Sequence, residues 1–190
     1  ETQILGSIQS ALYWDQNTSM PKRGASWRSE QLTYIAKILH KRNSSEDFLD
    51  LIKAAKDEFQ GCLKQSLSQE IIKCKERNIE LLIKEFNRQK NLDPKLVESL
   101  AKAKSIGYES WQEAKRKSDF KIFLPNFKEL IKLRIEEAKQ ISDKYTPWET
   151  LAQPFEPDLN LDWLNSIFQP LKDTIPSLLS DLNKSEKYHW

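Results

Sequence analysis

Residues Asp93 to Lys117 read DPKLVESLAKAKSIGYESWQEAKRK. Asp followed by Pro is a helix-start signal. The carboxylate accepts from the unbonded first-turn amides, and proline, lacking an N–H, fits the first helical position. Leu96, Leu100, Ala103, Gly107, Trp111 and Ala114 then recur every three or four residues. That spacing predicts a helix over 94–117 with one apolar face and a charged face in water.

The same period extends in both directions. Ile4, Leu5, Ile8, Ala11 and Leu12 predict a first helix up to about Trp14, ended by Pro21 and Gly24. Ser26 is expected to cap a second, with Leu32, Ile35, Ala36 and Leu39 as its apolar stripe. After Asn43-Ser44-Ser45, a third helix opens on Glu46-Asp47, acids where the helix dipole favours them. It turns Phe48, Leu51, Ile52, Ala55 and Phe59 inward and ends near Gly61. A fourth is expected from about Ser66 to Gln89, starting with Leu67 and Ile71 and ending with Ile83 and Phe86. Beyond Lys117, Asp119 or a neighbour is expected to cap a sixth helix that carries Phe123, Phe127, Leu130, Ile131 and Ile135. YTPWETLAQPFEPDLN, Tyr145 to Asn160, reads as the one long irregular stretch. Asn160 then caps a last helix, Leu161 to about Leu182, in which Pro170 and Pro176 predict a kink or a split. The expected fold is all-α: about seven mostly antiparallel helices in a single helical domain over 1–190, with a soft boundary at 144–160.

Composition agrees with this reading and excludes several functions. Only 4 of 190 residues are glycine and 31% are charged, which suits long amphipathic helices rather than a turn-rich β fold. The 30 basic and 28 acidic residues are mixed throughout, so no block of charge points to nucleic acid. No apolar run is long enough to span a bilayer. Cys62 and Cys74 show no CxxC spacing and read as reduced thiols of a cytoplasmic protein. The only histidines are His40 and His189, so there is no HExxH, and neither GxGxxG nor a P-loop is present. His40 reads as a helix-end cation, Glu136-Glu137 as a solvated face, and Trp111 in WQEAKRK as core.

Three motifs carry a family resemblance. The stretch YWDQNTSMPKRGASWRSEQLTYIAKILH resembles the start of the carboxypeptidase Taq (M32) metallopeptidases, with Trp14, Asp15, Gln16, Thr18, Met20, Pro21, Gly24, Arg28, Gln31, Leu32 and His40 in step. The second is carried by Trp111, Ala114, Asp119, Phe120, Phe123, Pro125 and Glu137-Ala138. The third is PWETLAQPFEPDLNLDWLNSIFQPLKDTIPSLL, where Trp148 and Phe155 replace the usual tyrosines and Glu149 replaces an aspartate. His189-Trp190 matches no motif at its place in the family and reads as coincidence.

The resemblance implies a zinc-dependent (or cobalt-dependent) exopeptidase, cytoplasmic and homodimeric, that removes C-terminal residues from peptides. It implies that the HExxH and the third metal ligand lie downstream of Trp190. The chain opens in mid-helix at Glu1 without Met, so it is expected to be the N-terminal wall or lid of a peptide groove, excised from its own catalytic domain. On that reading no catalytic or metal-binding residue lies in 1–190. The alternative is a stand-alone helical binding or scaffold domain of the same ancestry; an HExxH or a stop codon after Trp190 separates the two. Trp14, Asp15, Gln16, Thr18, Met20, Pro21 and Arg28 form the candidate corner. Trp14 and Met20 are expected to plug it, Asp15, Gln16 and Thr18 to bond the turn, and Arg28 to meet Asp15. A corner that only sets a helix angle is weighed against one whose polar groups line the groove. The isolated chain is expected to hold no stoichiometric zinc and to cleave no peptide; metal analysis finding one tightly held zinc per chain would count against this.

Overall fold

A computed structural model describes residues 1–62 and 68–184, with Cys62 described by its backbone only. Among the described residues there are eight α-helices and no strand, one helix more than the sequence pattern predicts. They are α1 (Thr2–Thr18), α2 (Ala25–Asn43), α3 (Glu46–Cys62), α4 (Gln69–Lys90), α5 (Pro94–Lys117), α6 (Leu124–Ile141), α7 (Pro147–Ala152) and α8 (Leu161–Lys184). They divide into two compact units, 1–141 and 142–190.

In the first unit α5 packs on α2 along one side and on α6 along another. Ion pairs fix the sense of the α2 contact. Lys22 meets Glu113, Glu30 meets Lys102 and Lys37 meets Glu98, so residue numbers rise on one helix as they fall on the other: the pair is antiparallel. Asn91 to Ile141 and Asp93 to Gln140 place the start of α5 at the end of α6 in the same way. Arg42 with Glu1 and Arg28 with Asp15 make α1 and α2 antiparallel, and Lys90 with Glu46 ties the end of α4 to the start of α3.

Asp93 caps α5 as its sequence predicts, with Oδ1 accepting from the Lys95 amide at 2.8 Å. At the other end Ser118 takes the left-handed conformation, φ 52°, and Lys115, Arg116 and Lys117 lie against the negative end of the dipole. Leu92, Leu96 and Leu100 meet Leu133 of α6 to form the buried cluster, with Val97, Leu130 and Ile141 against it. Burying each such side chain is worth about 1.5–3 kcal/mol.

Several local expectations need correction. Helix α1 runs four residues past Trp14, so Asp15 lies inside the helix and does not follow it. Pro21 is the stop, because nothing before it blocks helical hydrogen bonding. Ser26 caps nothing: α2 follows directly from the 3-10 turn Lys22–Gly24, and Gly24 is its N-cap. Asp119 caps a 3-10 turn, Phe120–Ile122, ahead of α6, and Pro125 falls in the first turn of α6, where it is tolerated. Leu51 is exposed. The start expected at Ser66 and Leu67 lies outside the described residues; the described helix α4 is capped by Ser68, whose Oγ accepts from the Ile71 amide.

The second unit contains the helix that the sequence pattern missed. Thr146 and Glu149 form a capping box at the start of α7. Glu149 Oε2 accepts from the Thr146 amide at 3.0 Å and from its hydroxyl at 2.7 Å, while Oε1 accepts from the Leu161 amide, the first residue of α8, at 2.9 Å. One carboxylate therefore caps two helices. The Thr146 hydroxyl bond, then the Leu161 and Thr146 amides, hold its pKa below the usual glutamate value. Because folding lowers this pKa, the stability Glu149 provides is present above the ordinary glutamate range and is lost as pH falls through the folded value. Amide exchange at Leu161 is therefore expected to accelerate as pH is lowered through that range, after correction for intrinsic rates. Glu149→Gln should exchange faster at pH 7 and lose most of the acid dependence. An acid profile identical in the two proteins would refute the double-cap role.

Candidate functional site

The corner between α1 and α2 gathers the seven residues singled out in the sequence. The carbonyl of Asp15 accepts from both the Ser19 and Met20 amides, each at 2.9 Å, which closes α1. Pro21, extended at ψ 141°, turns the chain into the 3-10 segment, where the Gly24 amide donates to the Pro21 carbonyl at 2.8 Å. A Cβ on Gly24 would come within 3.3 Å of Met20 Cγ, so Met20 packs directly on the glycine. Met20 thus fills the corner as expected. Trp14 does not: 66% of it is exposed.

Arg28 is the centre of the corner. Its Nη2 donates to Asp15 Oδ2 at 2.6 Å, its Nε to Gln31 Oε1 at 3.0 Å, and its Nη1 to the Leu12 carbonyl. The pairing with Asp15 is the one its position in the sequence suggests. The guanidinium side chain is only 11% exposed, so three fixed acceptors replace the water it has given up. Thr18 bonds back to the Trp14 carbonyl at 2.8 Å and stays within α1.

Gln16 departs from expectation. It is buried, and its amide nitrogen reaches across to α5, 3.2 Å from Ser105 Oγ and 3.2 Å from Glu109 Oε1. Ser105 is buried as well, as is Ser29 of α2. The antiparallel register sets Ser29 level with Ser105, so small side chains stand where α2 and α5 meet. Ser105, Glu109 and Ser29 were not legible as partners of the corner. The signal that finds them is the register between helices distant in sequence, which no local pattern contains.

Beside the corner, Glu113 accepts from Arg116 at 2.5 Å and lies 3.0 Å from Lys117 and 3.6 Å from Lys22. Hydrogen bonds from Arg116 and then Lys117 push its carboxyl down to about 2. Trp111 is 43% exposed and not core as its spacing suggests, with Lys115 Nζ 5.3 Å from its ring centre.

Among the described residues, no three His, Cys, Asp or Glu side chains come together to hold a metal ion. Buried His40 lies in the last turn of α2, as its sequence position suggests, and its Nδ1 is 3.3 Å from Gln89 Oε1, a link between α2 and α4. The thiol of Cys74 is free and exposed; the Cys62 side chain and His189 lie outside the described residues. A zinc site does not fit the described donor set, and no catalytic step is assigned to it. No described helix is long and apolar enough to cross a membrane.

Residues 1–189 match the carboxypeptidase Taq (M32) metallopeptidase family model. The chain is 26% identical to carboxypeptidase 1 of Bacillus subtilis over 92% of its own length and 33% of that protein. It is likewise 26% identical to thermostable carboxypeptidase 1 of Thermus thermophilus, over 98% of this chain and 37% of that one. The BsuCP crystal structure superposes with a TM-score of 0.84 at 24% identity, covering 96% of this chain and 35% of the other. Metallocarboxypeptidase 1 of Trypanosoma cruzi gives 0.71, covering 98% and 36%. The chain thus spans about a third of the length of the relatives it matches.

The corner generates a stability prediction. Asp15→Ala leaves a mostly buried guanidinium without its carboxylate, and Gln16→Ala leaves Ser105 and Glu109 without their shared donor. Each is expected to cost about 1–3 kcal/mol and to lower the melting temperature of the chain by several degrees. Trp14→Ala, at an exposed position, should leave the melt within about 1 °C. A thermal melt of Asp15→Ala indistinguishable from the parent would overturn the structural role of the pair.

Proposed function

This chain belongs to the carboxypeptidase Taq (M32) metallopeptidase family, and on that premise we propose that it is the N-terminal helical part of a metallocarboxypeptidase that removes C-terminal residues from peptides. The match over residues 1–189, in family order, is the observation that carries this reading. In it, zinc (or cobalt) and the catalytic groups reside in the remaining part of the family fold, and the complete enzyme is a cytoplasmic homodimer acting on peptides. The role of residues 1–190 is to build a wall of the substrate groove.

On this reading the corner residues divide by role. Asp15, Gln16 and Arg28 are engaged in bonds between helices, so they hold the angle of the wall. Thr18, Met20 and Pro21 end α1 and set the turn. Trp14 and Trp27, 66% and 70% exposed, are aromatic side chains that an extended peptide can lie against.

The test joins the full chain, at Trp190, to the part of the Bacillus subtilis enzyme beyond its matched third. The chain alone is expected to release no C-terminal residue from a model peptide, and the joined protein with zinc or cobalt is expected to do so. In that protein Trp14→Ala should lower kcat/KM several-fold with little change in melting temperature, whereas Asp15→Ala should lower the melt and leave kcat nearly intact. A folded, metal-loaded chimera without peptidase activity would refute the reading.

A further inference from the structure

Helix α8 has an organisation that neither the family assignment nor the corner explains. From Leu161 its apolar residues step alternately by three and four: Leu164, Phe168, Leu171, Ile175, Leu178 and Leu182. This is a strict seven-residue repeat over three heptads, the a/d seam of a helix that packs along another helix. None of the residues of α8 is buried, and the seam from Phe168 to Leu182 is 44–54% exposed. Both prolines stand off the seam. Taking Leu161 as position a, Pro170 falls at c and Pro176 at b, on the outer side. The hydrogen bonds they delete open the helix there, which curves the seam towards whatever covers it.

Three kinds of occupant are distinguishable by chemistry. A membrane surface wants a basic polar face, but the polar side of α8 carries Asp162, Asp173 and Asp181 against Lys172 and Lys184. A second copy in register needs complementary charges at e and g. Here Lys172 at e would face Ile167 at g, and Asp181 at g has no described basic partner at e. What remains is an apolar helix of a larger helical fold. The relatives supply the room for it, since the chain accounts for only 33–37% of their length.

We propose that the a/d seam of α8 is a docking strip for an apolar helix of the remaining part of the M32 fold. The proposal rests on the family reading above. It adds which surface makes the junction and what partner chemistry that surface takes.

The test uses a Cys62→Ser, Cys74→Ser background of the full chain, with a single cysteine placed either at Leu171, on the seam, or at Asp173, on the outer face. In the chain alone both should react with a maleimide at similar rates. In the chimera with the Bacillus subtilis remainder, Leu171→Cys should slow at least tenfold and Asp173→Cys less than twofold. Peptidase activity is scored separately. An active chimera with an unprotected seam overturns this proposal and leaves the proposed peptidase function standing; an inactive chimera with a protected seam does the reverse. Protection of Leu171→Cys in the chain alone that grows with protein concentration, or that appears on adding anionic vesicles, also overturns it in favour of a second copy or a membrane. Should the chimera not fold, the chain itself decides. Leu171→Glu with Leu178→Glu should leave its melting temperature within about 2 °C, because both side chains are about half exposed, and a fall of more than about 5 °C overturns the proposal.

Discussion

Helix α5 has to be covered on two sides at once, and the first unit follows from how that is done. Its leucines at 96 and 100 need an apolar neighbour, which α6 supplies through Leu133. Its other side presents Ser105, a residue that cannot stabilise a contact by area but lets another backbone approach. Helix α2 takes that place, bringing Ser29 level with it, and the flanking pairs Lys37 with Glu98 and Lys102 with Glu30 fix the register. The two sides thus differ in kind. One is a greasy contact worth several kcal/mol that tolerates small slips. The other is a close, partly polar contact in which a slip of one residue would strand buried groups.

That second contact explains why the corner is built from polar residues. Once α2 lies close on α5, α1 must follow α2 back, and its last turn meets the same side of α5. The group that arrives there is Gln16, and its amide is matched to Ser105 and Glu109. Arg28 then fastens α1 to α2 from within the turn. A purely apolar corner would bury as much surface but would leave the angle between α1 and α2 loosely set. Directional bonds from one guanidinium to two acceptors on α1, the Asp15 carboxylate and the Leu12 carbonyl, set that angle, because hydrogen-bond strength falls steeply with misalignment.

The sequence disclosed this architecture unevenly, and the pattern of success has a physical basis. Helix existence was legible throughout unit 1, because the 3.6-residue period is printed in every amphipathic segment. So was the cap at Asp93, which depends on neighbours two residues away. The Asp15–Arg28 pair was within reach for the same reason, being local across one turn. What failed depends on choices that a single helix does not record. Trp111 sits at a spacing that reads as core and Trp14 was expected to plug the corner, yet both are exposed, since the period says which residues share a face and not whether that face is covered. Gln16 was read into its own turn although its partners lie in α5. The short α7 was hidden in a proline-rich stretch, although Thr146 and Glu149 stand at capping-box spacing; three prolines outweighed a two-residue signal.

The same distinction between a face and its cover gives α8 its meaning. At Leu96 and Leu100 of α5 the apolar pattern and burial go together, because α6 is encoded in the same unit to receive them. In α8 the pattern is at least as regular and burial is absent. Left in water, such a strip costs free energy in proportion to its apolar area and invites aggregation. Neither penalty suits a surface that stays open. Random substitution would erode a seven-residue repeat on a solvated face, whereas keeping both prolines and all five charges off the seam is what a packed helix requires. A strip so arranged suits one half of an interface, as proposed above, and the share of the relatives' length outside the match is where the other half has room to lie.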